Sequence, residues 1–340
     1  MNKLIWLYIL ATISVALSCT QDDVGPSHFA PQLMEVPKGF DDIVFPEDNA
    51  FSQARWELGK RLFYDPIMSL DSAISCASCH NSELAFSDDV SFSSGVGDRL
   101  GTRNSPSLAN VTYHPYFTRE GGVPTLEMQI LVPIQEHNEL NFNIVLLAER
   151  LKADSSYIQM SKDAYDREPD AFVITRSLAC FERSLISGYS RYDHYEHYDD
   201  IDALTQSEIN GLELFFSDKT DCSKCHSDFI FTNHAFENNG LYEEYDDEGR
   251  FRLTGKEEDL ARFKVPSLRN VELTGPYMHD GSIGTLTAVV EHYNSGGMNH
   301  PHKSSLVRPL NLTEKEKEEL LAFLKTLTDD SFVKNPLFKQ

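Results

Sequence analysis

Two nearly identical strings, SCASCHN at 75–81 and DCSKCHS at 221–227, take four of the six cysteines in this 340-residue chain. Each sets two thiols three positions apart and puts an imidazole directly after the second. Three chemistries use a Cys-x-x-Cys pair: a zinc knuckle, a thiol-disulfide redox site, and covalent attachment of haem c. The adjacent histidine separates them. Haem c needs two thiols to meet the two vinyl groups of one porphyrin and an imidazole just beyond to ligate the iron. Zinc needs four converging ligands, and neither pair has the spacing of a compact zinc module. A thioredoxin-like site needs a strand and helix setting, whereas both strings sit in polar stretches. The sequence therefore predicts two covalent haems c, one on Cys76, Cys79 and His80 and one on Cys222, Cys225 and His226.

The N-terminal stretch MNKLIWLYILATISVALSCTQDD agrees with that chemistry. A lysine precedes an apolar run too short for a comfortable membrane span, and small residues follow, as in a signal peptide. Residues 1–18 then leave the mature chain, which is exported to a compartment where free thiols would tend to oxidise. Cys19 stands where a bacterial lipoprotein carries its lipid, with Ala16 in place of the usual leucine. The expectation is a periplasmic or cell-envelope lipoprotein tethered through Cys19; a plain signal peptide cleaved nearby is the competing reading. Residues 19–40, with Pro26, Pro31 and Pro37, read as the tether. The net charge of −23 argues against nucleic acid, and suits either a small basic protein partner or solubility alone.

Helical patterns dominate the rest. FSQARWELGKRLFYDP places Ala54, Leu58 and Leu62 on one face, with Pro66 as the stop and Trp56 as a packing residue. A helix is expected from Pro169 to about Ser187, ended by Gly188 and burying an unpaired Cys180. Capping boxes at Thr205/Glu208 and Thr313/Glu316 open two more, the last with Leu320, Leu321, Leu324 and Leu327 as its apolar stripe. Such a closing helix is expected to pack on the opening one. Residues 87–107 read as a long loop over a ligand or cofactor. No strand alternation of any length appears, and no fixed-period repeat is evident beyond the two strings. The expected fold is all-α with long loops, the haems replacing much of the side-chain core.

The phrases LGKRLFYDPIMS, ISCASCHN, LAFSD, GTRNSPSLAN, LEMQILVPI, CFERSLISG, CSKCH, FKVPSLRNVELTGPYMHDGS and TLTAVVEHYNSGG resemble, in order, those of bacterial diheme cytochrome c peroxidases, the group that also includes the quinone-cofactor maturase MauG. The resemblance covers residues 40 to about 330. It implies two cytochrome c-like domains, here 41–200 and 201–335, the first completed by the C-terminal helix region. It also implies that the first haem meets peroxide and the second exchanges electrons. Relatives with a distal histidine carry it after the first string, whereas no histidine occurs between Asn81 and Arg103, so the first haem is expected to be open, with His80 its sole protein ligand. Gln129, Pro133 and Glu139 match the family's distal glutamine, proline and glutamate; taken alone they would read as surface groups on a helix and loop. Glu139 is the implied acid-base group for peroxide.

The sixth ligand of the second haem falls by resemblance on Tyr293, the MauG-like choice, with Met278, His292 and Met298 as rivals and a packed core tyrosine as the bland reading. Asn104, Thr274 and Pro276 match the family's calcium ligands. Arg119 stands where many relatives have a tryptophan thought to relay electrons, which leaves the path between haems open, with Tyr113, Tyr116 or Phe117 as substitutes. The leading expectation is an exported peroxidase reducing hydrogen peroxide to water with electrons from a small cytochrome or similar donor; a homodimer is compatible with it. Two others stand beside it: a MauG-type oxidant acting on a side chain of a partner protein, and a plain diheme electron carrier.

Overall fold

The computed structural model describes residues 34–340; the signal-peptide and Cys19 expectations, and most of the tether, lie outside the described residues. Two helix pairs organise the rest. The first pair begins at Gln53–Tyr64, whose N-cap Ser52 accepts from the Arg55 amide at 3.3 Å. Pro66 cannot continue the helix, and the chain turns at Asp65. Trp56, Leu58, Leu62 and Phe63 are buried on the inner face against helix Ala171–Arg183, and the Trp56 indole N–H donates to Ser184 Oγ at 2.7 Å. That second helix starts at the cap Asp170, directly after Pro169, and buries Cys180. It ends at Arg183 rather than near Ser187. The N–H groups beyond it are taken elsewhere: Ser187 donates to Asn110 Oδ1 at 2.9 Å, and Gly188 and Tyr189 donate to Asp329 Oδ2 at 3.0 and 2.9 Å.

The second pair is Gln206–Phe215 and Glu314–Lys325, each opened by the expected capping box. Leu320, Phe323, Leu324 and Leu327 meet Phe215, Phe231, Val271 and Val290 in one core cluster. A glycine marks each crossing. A Cβ on Gly59 would lie 1.9 Å from the Ser177 carbonyl oxygen, and one on Gly211 would lie 1.9 Å from that of Glu319. In an unencumbered helix Gly→Ala stabilises by roughly 0.5–1 kcal/mol. At Gly211 the added methyl overlaps fixed backbone, so Gly211→Ala is expected to destabilise by about 1–3 kcal/mol, read as a lowered midpoint in thermal unfolding of the holoprotein.

Strand structure among the described residues is a single antiparallel pair, Phe236–Glu237 with Phe263–Lys264. Long loops make up the remainder, and no described helix is long and apolar enough to cross a membrane. The C-terminus returns to the first half: Phe332 and Phe338 approach the Phe86 ring at 5.8 and 6.3 Å between centroids, and the Tyr64 hydroxyl donates to the Phe338 carbonyl. Both halves belong to one body, Val36–Gln340.

Candidate functional site

Each Cys-x-x-Cys-His string closes into one short 3-10 turn. The His80 amide donates to the Cys76 carbonyl at 3.0 Å, and His226 does the same to Cys222 at 2.9 Å. The ring of each histidine is then fixed by a carbonyl: His80 Nδ1 lies 2.8 Å from Phe86 O, and His226 Nδ1 lies 3.1 Å from Phe231 O. Both phenylalanines are buried and adopt left-handed backbone, φ 59° and 56°, a conformation costing a side-chain-bearing residue roughly 1–2 kcal/mol. A serine pins each bend, Ser107 Oγ on Ala85 O and Ser267 Oγ on Ile230 O, both at 2.6 Å. Those serines belong to SPSLAN and VPSLRN, a second repeat that the sequence carries and that spacing alone hid.

Burial lowers the basicity of both imidazoles, His226 to about 4. With Nδ1 engaged, each neutral ring keeps Nε2 as its metal-binding atom, the arrangement in which an outer hydrogen bond orients a ligating histidine. Burial also raises the thiols, Cys79 and Cys225 to about 11, opposite to the shift a thiol-disulfide site requires. Among the described residues no three His, Cys, Asp or Glu side chains gather as a zinc site would need. The donor chemistry fits a covalent haem c at each string.

Thr125 caps helix Leu126–Gln129, and the chain continues through Pro133 in Leu131–Gln135. Glu127 anchors this segment by a bidentate pair with Arg183, 2.6 and 3.0 Å, with Asn49 adding a bond at 2.9 Å. Gln129 Oε1 is buried without a partner. Glu139 keeps exposed surface, yet burial pushes its carboxyl up to about 7, with the negative charge of Glu136 adding to it. Its charge acts on both Cys76 and Cys79, which sets it beside the first string. The loop without histidine holds it there: Val96 N donates to Glu139 O at 2.9 Å, and Arg99 Nε to His137 O at 2.8 Å. Glu182, not singled out in the sequence, is a second buried carboxyl acting on Cys76, raised to about 8 by burial.

Above the second string, Thr285 caps helix Leu286–Ser295. Counting eight residues on from the caps Thr125 and Thr285 reaches Pro133 and Tyr293, so the two occupy the same register in their halves. Burial pushes the Tyr293 hydroxyl up to about 12, and the charges of Cys222 and Cys225 act on it. Its rivals are otherwise engaged: His292 Nε2 lies 3.0 Å from Asn239 O, Met278 Sδ accepts from Asn239 Nδ2 at 3.1 Å, and Met298 is 53% exposed.

Asn104, the side chain expected to hold calcium, does not fit it. Asn104 is buried, and both its oxygens face a guanidinium: Arg119 Nη2 donates to Asn104 O at 2.6 Å and to Oδ1 at 3.3 Å. Thr274 and Pro276 lie in the turn that follows Leu273, with Thr274 Oγ1 bonded to Val271 O at 3.5 Å. Asn104 thus already has a cationic partner from the chain itself, and calcium is not shown here.

A sequence profile of the di-haem cytochrome c peroxidases matches residues 53–200. The methylamine utilization protein MauG of Methylorubrum extorquens is 35% identical over 84% of this chain and 82% of its own length. Cytochrome c551 peroxidase of Nitrosomonas europaea is 32% identical over 81% and 80%. Among solved structures, a MauG-like protein associated with microbial copper homeostasis superposes with a TM-score of 0.85 at 34% identity, covering 90% of this chain and 98% of its own.

Proposed function

Since the chain belongs to the di-haem cytochrome c peroxidase family, which includes the MauG proteins, we propose that it is an exported oxidoreductase that reduces hydrogen peroxide to water with electrons from a small redox protein. Two halves, divided near residue 200, would each carry one haem c, on Cys76, Cys79 and His80 and on Cys222, Cys225 and His226. The observation that carries the reading is Glu139, held by Val96 N in the loop after the first string, its carboxyl raised by burial and in electrostatic reach of Cys76 and Cys79. Bound haem would supply the iron on which peroxide is cleaved and through which two electrons arrive.

The balance is H2O2 with two protons and two electrons giving two waters. Glu139 as carboxylate takes the proton from the inner peroxide oxygen, then as acid delivers it to the outer oxygen, which departs as water. Its pKa near the working pH makes both half-steps accessible. Gln129 Oε1 accepts from the peroxide O–H and fixes its orientation, and the Glu127–Arg183 pair keeps that amide in place. The test is the EPR spectrum of the ferric holoprotein. One high-spin and one low-spin signal are expected, the first changing on addition of peroxide; two low-spin signals indifferent to peroxide would point to the plain electron carrier.

Tyr293 supports a second reading, oxidation of a side chain on a partner protein as in MauG-type chemistry. A phenolate donor would favour oxidised iron at His226 where a methionine would favour reduced iron. Tyr293→Phe is expected to change the low-spin EPR signal while leaving the high-spin one in place. Slow turnover with a reduced small cytochrome, together with that change, would select the second reading over the first.

A further inference from the structure

The two halves meet at a local two-fold cross. Asn104 and Lys264 each stand two residues before the proline of a Pro-Ser-Leu repeat, and Arg119 and His279 each stand two residues before the glycine of REG and HDG. Asn104 N donates to His279 O at 2.9 Å, and Lys264 N donates to Arg119 O at 2.6 Å. The seam thus closes by the same hydrogen bond made twice, with the partners exchanged between halves.

Its side chains are not equivalent. Arg119 is half-buried and turns Nη2 onto both oxygens of Asn104, while its Nε is buried without a partner. Lys264 Nζ lies 3.0 Å from Tyr116 O and 3.2 Å from His114 Nδ1. Burial lowers both cations, Arg119 to about 10 and Lys264 to about 8, and the charge of each neighbouring arginine adds to it. Among the described residues neither is in an ion pair with a carboxylate. The acids around them have other partners: Glu120 and Asp247 bind Arg103, and Asp280 accepts from the Tyr242 hydroxyl at 2.6 Å. A calcium ion takes six to eight oxygens, and here the asparagine it would use already faces a fixed positive charge.

We infer that Arg119 is the resident cation of this seam: its guanidinium holds both oxygens of Asn104, whose amide in turn bonds the His279 carbonyl, does the structural work the resemblance assigns to calcium, and leaves the holoprotein without need of a divalent metal. The arrangement does not depend on whether peroxide or a protein side chain is the substrate. It explains why arginine, useless as an aromatic relay, occupies this position. A tryptophan there has a single N–H and brings no charge to the two oxygens of Asn104.

The experiment uses the full holoprotein, incubated with calcium, desalted and assayed for metal, with ferric EPR and thermal unfolding recorded with and without EGTA. Calcium below roughly one-tenth per chain is expected, with both EPR signals and the unfolding midpoint unmoved by EGTA or by added millimolar calcium. One calcium per chain, or an EPR signal or midpoint that EGTA shifts, would overturn the inference. Arg119→Gln is expected to lower the midpoint and perturb the EPR spectrum, and Arg119→Lys to restore part of both. A glutamine variant with the wild-type midpoint and spectrum would overturn it as well. Should the glutamine variant not fold, the metal content and EGTA response of the wild-type protein decide the matter alone.

Discussion

A Glu139→Gln holoprotein is expected to lose about 10²- to 10⁴-fold in kcat/KM for hydrogen peroxide, the range by which a positioned acid-base group accelerates proton transfer. Glutamine keeps the shape and can still donate a hydrogen bond, but it cannot take the proton from the inner peroxide oxygen. Haem content and the ferric high-spin signal should survive, because Glu139 is fixed through its backbone carbonyl to Val96 and not through its carboxyl. The pH profile gives an independent reading. Burial, and after it the charge of Glu136, places the Glu139 pKa at about 7, so the carboxylate is lost as pH falls through that value and kcat/KM should fall with it. Glu136→Gln removes a like charge, lowers the Glu139 pKa and should move the acid limb to lower pH. Stopped-flow mixing with peroxide across pH reads both effects; a Glu139→Gln rate equal to wild type, or an acid limb that Glu136→Gln leaves in place, would remove Glu139 from the mechanism.

Local signals were the legible ones. The Thr205 and Thr313 caps act through the residue three positions on, so the sequence contains everything that forms them, and both are present. The strings are equally local, since each turn is closed by the amide of its own histidine. The helix ends at Arg183, short of the expected Ser187, because its stop signal is distant: Asn110 and Asp329 take the amides beyond it. The second repeat has no fixed period, because Pro106 follows His80 more closely than Pro266 follows His226. Only in three dimensions do Ser107 and Ser267 make the same bond. Arg119 is legible as a departure from its relatives, but its bond to Asn104, fifteen residues away across a loop, is not legible from spacing.

Asp193→Asn is expected to destabilise the holoprotein by about 3–5 kcal/mol, the usual consequence of leaving one member of a buried ion pair uncompensated. Asp193 and Arg269 have side-chain exposures of 0% and 1%, and Arg269 Nη1 reaches both carboxylate oxygens at 2.6 Å. Asparagine preserves the volume, but its amide group must face either Arg269 or the Ser190 donors, so a lost hydrogen bond adds to the lost charge. The same guanidinium also donates through Nε to Phe229 O at 2.9 Å and lies 5.3 Å from the Phe231 ring, the residue whose carbonyl orients His226. Loss of the pair should therefore shift the low-spin EPR signal as well as the unfolding midpoint, whereas a purely structural role would move the midpoint alone. Combining Asp193→Asn with Arg269→Met removes the stranded charge and should recover part of the stability, since no uncompensated charge is then left buried. It should not recover the EPR signal, because methionine cannot donate to Phe229. A double variant no more stable than Asp193→Asn, or one with the wild-type spectrum, would show that Arg269 neither depends on its partner nor steers the histidine. Either result would separate the core of the second half from its redox site, which the shared Phe229–Phe231 segment here joins.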